Sequence, residues 1–231
     1  MESRTKAQAL VMAGLVFSGE MRLGKAGQAV SEDAALEVRG AEHPWVSRGG
    51  LKLDHALDEF HIAAKGAIAL DVGASTGGFT DVLLAQGTAR VYAVDVGYGQ
   101  LAQRLRDDAR VVVLERTNAR YLNDELVPEP VDLVVCDASF IGLRTVLPAA
   151  LALVRPGGAL VALIKPQFEV GPERVGKGGI VRDADARAGA CEAVRAWLAV
   201  DLGWEVIGLT ESPITGAQGN VEFLIAARRA S

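Results

Sequence analysis

The 231-residue sequence has few of the cysteines and histidines that form disulfide bonds or bind structural metals. It contains 2 cysteines, 3 histidines and only 5% aromatic residues. Cys136 and Cys191 are too few for a disulfide framework, and with three scattered histidines they exclude a zinc site with several such ligands. We therefore expect two reduced thiols and no metal. A chain of this length with 50% hydrophobic residues buries enough surface to fold without staples.

Long hydrophobic runs are also missing. No stretch approaches the roughly 18 apolar residues of a membrane-spanning helix. The most apolar candidate, Ala149–Ile164, is broken by Arg155-Pro156-Gly157-Gly158. The N-terminus lacks the charged and then apolar pattern of a secretory signal. These absences predict a soluble, cytoplasmic protein.

The chain has no excess of positive charge. Its 24 Lys and Arg residues against 29 Asp and Glu residues give a net charge of −5. Because contacts to phosphates need Lys and Arg, this balance argues mildly against a nucleic-acid partner. The charge is uneven, however, since basic residues outnumber acidic ones in the first 30 positions.

Short apolar runs alternate with helix-type segments from about residue 67 onward. The predicted strands are Ala67–Val72, Arg90–Val94, Val111–Leu114, Val131–Cys136, Ala159–Ile164, Glu205–Glu211 and Asn220–Ala226. The predicted helices are Gly78–Ala85, Gln100–Asp107, Asp124–Leu126, Leu143–Leu153 and Asp183–Val200. Runs of this length and hydrophobicity are typical of buried parallel strands with crossover helices. The pattern predicts an α/β, Rossmann-like sheet of seven strands, with the last pair antiparallel.

The first 42 residues follow a different pattern. They contain a predicted short helix, Arg4–Ala13, and three short strand-like runs, Leu15–Glu20, Ala29–Val30 and Ala35–Val38. This piece is too small for a secure core of its own. We expect a small module over residues 1–42, a linker over 43–46 and a main domain over 47–231.

The strongest local signal is a glycine-rich loop after the first predicted strand of the main domain. Its G-x-x-x-G-G spacing, from Gly73 to Gly78, differs from the dinucleotide fingerprint and from the P-loop. Such a loop at the carboxyl edge of a sheet, with Asp71 at its base to hold an ammonium group, suits an amino-acid moiety. The candidate cofactor-binding residues are Asp71, Gly73, Ser75, Gly77, Gly78, Asp95 and Asn118.

Asp95 and Asn118 extend this loop into a nucleoside site. Asp95 ends the second strand, where an acidic residue accepts hydrogen bonds from a ribose diol. Asn118 follows the third strand, within reach of an adenine edge. Together with the loop they predict a pocket for S-adenosylmethionine. The alternative is an ordinary glycine-rich turn with a helix-capping aspartate.

Three ionisable residues lie at the ends of other apolar strands. Asp137 follows the fourth strand, Lys165 the fifth, and Glu222 lies in the last. Burial favours a neutral lysine amine, which is a usable base; a structural salt bridge is the alternative. Motifs for methylating exocyclic amines (Asn/Asp-Pro-Pro-Tyr/Phe) or pyrimidine C5 (Pro-Cys) are missing from the sequence. A methyltransferase with this lysine would therefore act on a hydroxyl group.

The whole series of motifs resembles the TlyA (haemolysin A) family of FtsJ-like rRNA 2′-O-methyltransferases. The motifs are Ser47-Arg48-Gly49-Gly50-Leu51-Lys52-Leu53, the Asp71–Thr80 loop, Cys136-Asp137-Ala138-Ser139-Phe140, Ile164-Lys165-Pro166-Gln167-Phe168-Glu169, and Ser212-Pro213-Ile214 through Gly219-Asn220-Val221-Glu222-Phe223. The resemblance implies a catalytic Lys-Asp-Lys-Glu tetrad at Lys52, Asp137, Lys165 and Glu222. It also implies S-adenosylmethionine-dependent methylation of ribose 2′-hydroxyls in ribosomal RNA, with cytidine as the expected nucleoside.

The same resemblance implies an S4-type RNA-binding module at the N-terminus, here lacking its first helix. The candidate RNA-binding residues are Arg4, Lys6, Arg22, Lys25, Arg174, Lys177 and Arg182. The last three lie in the glycine-containing segment Gly171–Arg182, which we expect to order on the substrate. Each is otherwise a plain surface charge. Two other functions stay open: a small-molecule O-methyltransferase, and a non-catalytic ribosome-binding factor that retains the fold.

Overall fold

The computed structural model describes residues 7–8, 10–11, 15–19, 21–25, 27–31, 33–38, 43–216 and 219–230. The chain divides into two compact units, Met1–Pro44 and Trp45–Ser231. No helix within these described ranges is long and apolar enough to cross a membrane.

The first unit contains a small antiparallel sheet. Its strands are β1 (Val16–Ser18), β2 (Met21–Arg22) and β3 (Leu36–Val38), in the order β2-β1-β3. Val16 is buried in this unit. The strand predicted at Ala29–Val30 is wrong, because the partner of β1 begins only two residues after Gly19, whose φ of +56° closes a tight turn. Most of the helix predicted over Arg4–Ala13 lies outside the described residues, and the S4-type assignment stays a prediction.

The second unit is built on a seven-stranded sheet. Its strands are β4 (Ile68–Val72), β5 (Arg90–Val94), β6 (Val111–Leu114), β7 (Val131–Cys136), β8 (Val154–Ile164), β9 (Glu205–Glu211) and β10 (Phe223–Arg228). Their order is β6-β5-β4-β7-β8-β10-β9. The first five pair in parallel, and β10 pairs antiparallel with both β8 and β9. The predicted Rossmann-like sheet with an antiparallel last pair is confirmed.

Helices cover this sheet on both faces. They are α1 (Gly49–Glu59), α2 (Gly78–Ala85), α3 (Gln103–Arg106), α4 (Leu143–Val146), α5 (Pro148–Ala152), α6 (Pro166–Glu169) and α7 (Ala184–Ala196), which continues as a π-turn over Trp197–Asp201. Alternate residues of the central strands enter opposite layers: Val134 packs in one apolar cluster, whereas Leu133 and Val135 pack in the other. Burial on both faces explains why the strands are continuously apolar.

Two helix predictions need correction, and one helix was missed. Residues 124–126 form a turn, because Asn123 caps it through the Leu126 N–H and Pro128 prevents the helix from continuing. The segment predicted as one helix from Leu143 divides at Pro148, which has no N–H to donate to the preceding turn. Helix α1 was not predicted, since two glycines at its start hide its apolar stripe.

Candidate active site

The polar residues that follow the central strands meet at one edge of the sheet. Parallel pairing brings the ends of β4 and β7 together, with Val72 opposite Cys136. Antiparallel pairing puts Phe223, the first residue of β10, opposite Ile164 near the end of β8. The residues just beyond these strand ends therefore converge. Helix α1 adds Lys52 from the buried face that it packs against α2 and the sheet.

The four predicted catalytic residues form one chain of ion pairs. Lys52 Nζ lies 2.6 Å from Glu222 Oε2 and 3.9 Å from Asp137 Oδ2. Lys165 Nζ lies 2.6 Å from Asp137 Oδ1. The carboxylate of Asp137 thus bridges the two lysines, and the structure brings all four predicted residues together.

This cluster is largely withdrawn from solvent. Lys52, Lys165 and Glu222 are 6%, 7% and 3% exposed, respectively. Buried charges are tolerated only when they are paired, and here two cations balance two carboxylates. Each lysine contacts a carboxylate, so neither buried cation lacks a counter-charge.

Lys165 has two further oxygen partners. Its Nζ donates hydrogen bonds to the Asp137 carbonyl oxygen at 3.1 Å and to Ser139 Oγ at 2.7 Å. Ser139 was not among the predicted site residues, although it lies only two positions after a predicted catalytic aspartate. Lys165 is held from three sides, which fixes its amine at the edge of the cleft.

The glycine loop contains glycines at which an added side chain would force neighbouring atoms to move. Gly73 has φ +85°, and a Cβ there would come within 2.9 Å of the Ala138 Cα. Gly77 has φ +97°, and a Cβ there would come within 2.2 Å of the Leu105 side chain. Gly78 begins α2 and packs closely on Ser47. These three positions lie so close to Ala138, Leu105 and Ser47 that only glycine fits there without a shift.

Asp95 holds the outer part of this loop. Its two carboxylate oxygens accept hydrogen bonds from the Ser75 N–H at 2.8 Å and the Gly97 N–H at 2.7 Å. Asn118 and Asp95 line one cavity, and Asn118 Oδ1 accepts a hydrogen bond from the Arg120 N–H at 3.1 Å. Asp95 and Asn118 therefore lie beside one cavity, and their roles towards a ribose and an adenine stay predictions.

Asp71 lies beneath the loop and is fully buried. Thr80 donates a hydrogen bond to its Oδ2 at 2.7 Å, whereas Oδ1 has no hydrogen-bond partner among the described residues. Burial raises the pKa of this carboxyl to about 7. Its role in holding an ammonium group stays a prediction, because Asp71 contacts the helix behind the loop.

Two cavities open along this edge. One, of about 620 Å³, is lined by the four ionisable residues and by parts of the glycine loop. The other, of about 460 Å³, is lined by Asp95 and Asn118. The residues shared by both cavities are Gly73, Ser75, Asp137, Ser139 and Phe140. The two cavities therefore adjoin in one cleft. We call the part formed by Lys52, Asp137, Lys165 and Glu222 its lysine side, and the part formed by the Gly73–Gly78 loop with Asp95 and Asn118 its glycine-loop side.

An exposed aromatic side chain lies where the two cavities meet. Phe140 is 90% exposed and adopts φ +65°, which is rare for a residue with a side chain. Its ring lies 5.3 Å from that of Phe168, which also lines the larger cavity. Neither phenylalanine was among the predicted site residues, because neither the exposure nor the backbone angle of Phe140 can be read from its motif.

The segment Gly171–Arg182 borders the larger cavity through Val175, Gly178 and Gly179. Its three predicted RNA contacts, Arg174, Lys177 and Arg182, are exposed. Asn220 fastens the segment: its Nδ2 donates to the Gly179 carbonyl oxygen at 2.8 Å, and its Oδ1 accepts the Val181 N–H at 3.1 Å. The segment is thus tied to the chain that carries Glu222.

The remaining predicted RNA contacts belong to the first unit. Arg22 and Lys25 are exposed there, on and just after β2. Arg4 and Lys6 lie outside the described residues.

Comparison with known proteins gives consistent relatives. The chain is 52% identical over 227 residues to the Mycobacterium tuberculosis 16S/23S rRNA (cytidine-2′-O)-methyltransferase TlyA, covering 98% of this chain and 84% of that protein. It is 40% identical over 224 residues to Hemolysin A of Brachyspira hyodysenteriae, covering 96% and 92%. A solved hemolysin structure from Streptococcus thermophilus superposes with a TM-score of 0.83 at 43% identity, covering 100% of this chain and 84% of that chain. Residues 45–229 match the FtsJ-like methyltransferase family, and the chain belongs to that family.

Proposed function

We propose that this protein methylates the 2′-hydroxyl of a ribose, in a cytidine of ribosomal RNA, with S-adenosylmethionine as its cofactor. The observation that carries the proposal is the buried Lys52–Glu222 and Lys165–Asp137 pairing beside the glycine loop. A lysine set among carboxylates at the mouth of a cofactor cleft suits the deprotonation of a hydroxyl group. The Mycobacterium tuberculosis relative carries this activity in its name.

The glycine-loop side of the cleft fits S-adenosylmethionine. A Cβ at Gly73 would clash with the Ala138 backbone, so the absence of a side chain lets the loop pack on the end of β7, and Gly73 and Ser75 line both cavities. We assign Gly73, Ser75, Gly77 and Gly78 to the binding of the amino-acid moiety of the cofactor, and Asp71 to the binding of its ammonium group. Asp95 is assigned to the ribose diol and Asn118 to the adenine edge. When bound, S-adenosylmethionine supplies an electrophilic methyl group on a sulfonium.

On the lysine side, Lys165 acts as the base. Its amine is fixed by Asp137 and Ser139, and this positioning lowers the barrier by holding the reacting groups in place. Asp137 orients Lys165 and separates it from Lys52. Glu222 pairs with Lys52 at 2.6 Å and so keeps the second cation in place beside the acceptor.

The surface around the cleft supports an RNA acceptor. RNA-binding proteins recognise unstacked bases largely by stacking them on aromatic side chains, and Phe140 presents an exposed ring at the cleft. Arg174, Lys177 and Arg182 offer phosphate contacts from the bordering segment. Independently of the cleft, we assign Arg4, Lys6, Arg22 and Lys25 of the first unit to further phosphate contacts on the basis of the sequence.

The net charge of −5 indicates modest affinity from backbone contacts alone, so recognition depends on the ribosomal context. We assign residues 1–42 to an S4-like module, 43–46 to a linker and 47–231 to the methyltransferase domain. A ribosomal substrate places the enzyme in the cytoplasm.

The test is transfer of a tritiated methyl group from S-adenosylmethionine to ribosomal subunits. The 30S and 50S subunits are isolated from a strain that lacks the gene, and the labelled rRNA is digested to nucleosides. We expect label in 2′-O-methylcytidine with the wild-type protein. No transfer together with no cofactor binding would support a non-catalytic ribosome-binding factor instead. Label in a small molecule without RNA would support the other alternative.

A further inference from the structure

Ser139 connects the buried base to the open cleft. Its Oγ lies 2.7 Å from Lys165 Nζ. Ser139 is exposed, whereas Lys165 is only 7% exposed. A proton that travels between the cleft and the lysine amine can therefore pass through this hydroxyl.

The oxygens around Lys165 Nζ differ in what they can do chemically. Asp137 contributes Oδ1 at 2.6 Å and its carbonyl oxygen at 3.1 Å. An ionised carboxylate and a carbonyl can only accept hydrogen bonds, whereas a serine hydroxyl both accepts and donates. When the amine is neutral, Ser139 is the member of this set that can present a hydrogen to the nitrogen lone pair.

We propose that Ser139 carries the proton from the acceptor hydroxyl to Lys165, an inference that rests on the proposed function. The acceptor proton passes to Ser139 Oγ while the serine's own proton passes to Lys165 Nζ, so the serine is regenerated and the lysine becomes an ammonium. The acceptor oxygen forms its bond to the methyl carbon, and the electron pair of the broken carbon–sulfur bond stays on sulfur.

The position of Ser139 in the cleft agrees with this role. It lines both cavities, so its hydroxyl lies where the glycine-loop side and the lysine side meet. An acceptor hydroxyl placed there can contact the exposed serine, whose Oγ lies 2.7 Å from the Lys165 amine. Phe140, the next residue, presents its ring at the same junction.

The ionisable groups that face Lys165 are few among the described residues. Asp137 contacts it directly, and Lys52 and Glu222 continue the ion-pair chain. Cys136 ends β7 nearby, and burial raises the pKa of its thiol to about 12, so it stays protonated across the useful pH range. Asp71, whose pKa burial raises to about 7, also titrates between pH 6 and about 9.5. The difference between the wild type and a Ser139 variant at each pH therefore reports on the proton path, because Asp71 is common to both.

The experiment compares the wild-type chain with Ser139→Ala and Ser139→Thr. Single-turnover methyl transfer to 30S and 50S subunits is measured from pH 6 to about 9.5 at saturating S-adenosylmethionine, and cofactor affinity is measured by calorimetry. We expect Ser139→Ala to be roughly 100-fold slower at neutral pH, at the lower end of the usual range for general acid–base catalysis. Its rate should keep rising with pH where the wild-type rate levels off, because hydroxide replaces the missing proton carrier.

The conservative variant separates chemistry from packing. Ser139→Thr keeps the hydroxyl and should stay within about threefold of the wild-type rate, and both variants should bind the cofactor as the wild type does. A Ser139→Ala rate within twofold of wild type across the pH range would overturn the role of Ser139 alone. Equal loss in the two variants would overturn it too, in favour of packing. If the wild-type chain itself transfers no methyl group to either subunit, the proposed function fails together with this inference.

Discussion

The two sides of the cleft differ in composition, since one is formed by charged side chains and the other mainly by backbone. The lysine side consists of long charged side chains that reach in from α1, the ends of β7 and β8, and the start of β10. The glycine-loop side consists mainly of backbone, with Gly73 and Gly77 in left-handed conformations and Asp95 holding two N–H groups. One side is held by charge pairing and the other by close backbone packing.

This difference separates the two tasks of a methyltransferase. Removing a charge from the lysine side leaves the backbone loop in place, so chemistry is lost while the cofactor still binds. Adding a methyl group to the loop changes its shape without touching an ion pair, so cofactor binding is lost first. Substitutions on each side of the cleft test that separation.

Lys165→Ala should abolish nearly all methyl transfer and leave cofactor affinity close to wild type. Loss of a general base costs roughly 100- to 10,000-fold, and Asp137 also loses its 2.6 Å partner. Single-turnover transfer to ribosomal subunits and calorimetric binding of S-adenosylmethionine measure the two effects. Lys65→Ala, at an exposed position before β4, is the matched control and should behave as wild type. Wild-type turnover by the Lys165 variant would refute the assignment of the base.

Gly73→Ala should weaken cofactor binding by about 100-fold, which corresponds to about 2.7 kcal/mol. The added Cβ would lie 2.9 Å from the Ala138 Cα, and a φ of +85° strains any side chain. Gly66→Ala is a stringent control, because Gly66 has φ +73° with no atom within 4 Å of the added Cβ. Both variants carry the backbone strain, whereas only Gly73→Ala displaces a neighbour. Similar cofactor affinities in the two variants would count against a packed loop.

Much of the fold could be predicted from the sequence because burial leaves a strong signal. The strands Arg90–Val94, Val111–Leu114, Val131–Cys136 and Glu205–Glu211 have the predicted bounds. Elements fixed by local exceptions were harder to predict. Strand β10 begins at Phe223 and not at Asn220, because the Asn220 side chain bonds to the Gly171–Arg182 segment and its carbonyl oxygen accepts the Gly216 N–H.

The candidate site was predictable to the extent that its residues follow strands. Asp137 and Lys165 stand directly after apolar runs, and parallel pairing brings such positions together. Lys52 came only from the family resemblance, since its helix starts with two glycines. Ser139 and Phe140 were missed because their importance depends on contacts and a backbone angle that motif spacing does not encode.

Asp71 is a fully buried carboxyl group beneath the glycine loop, and its titration should make the stability of the fold depend on pH. Its pKa of about 7 in the folded chain exceeds the ordinary value of 3.8, so the folded state keeps a proton that the unfolded state has lost between these values. Stability should therefore fall as pH rises, by about 2 kcal/mol between about pH 5.5 and 8. Asp71→Asn, which imitates the protonated carboxyl, should remove this part of the slope in urea unfolding. Parallel wild-type and variant slopes would contradict a raised pKa.

Asp95→Ala should have the smallest effect, because it removes two hydrogen bonds to the loop and leaves the glycine backbone intact. We expect about a 10-fold loss in S-adenosylmethionine affinity, consistent with the roughly 1.5 to 3 kcal/mol of a hydrogen bond to a charged group after partial replacement by water. At saturating cofactor the methyl-transfer rate should match wild type, since the Lys165–Asp137 pair is untouched. Asp107→Ala, an exposed carboxylate at the end of α3, serves as the control. A slower rate at saturation would mean that the two sides of the cleft are coupled through the Ser75 N–H, which Asp95 holds between the two cavities.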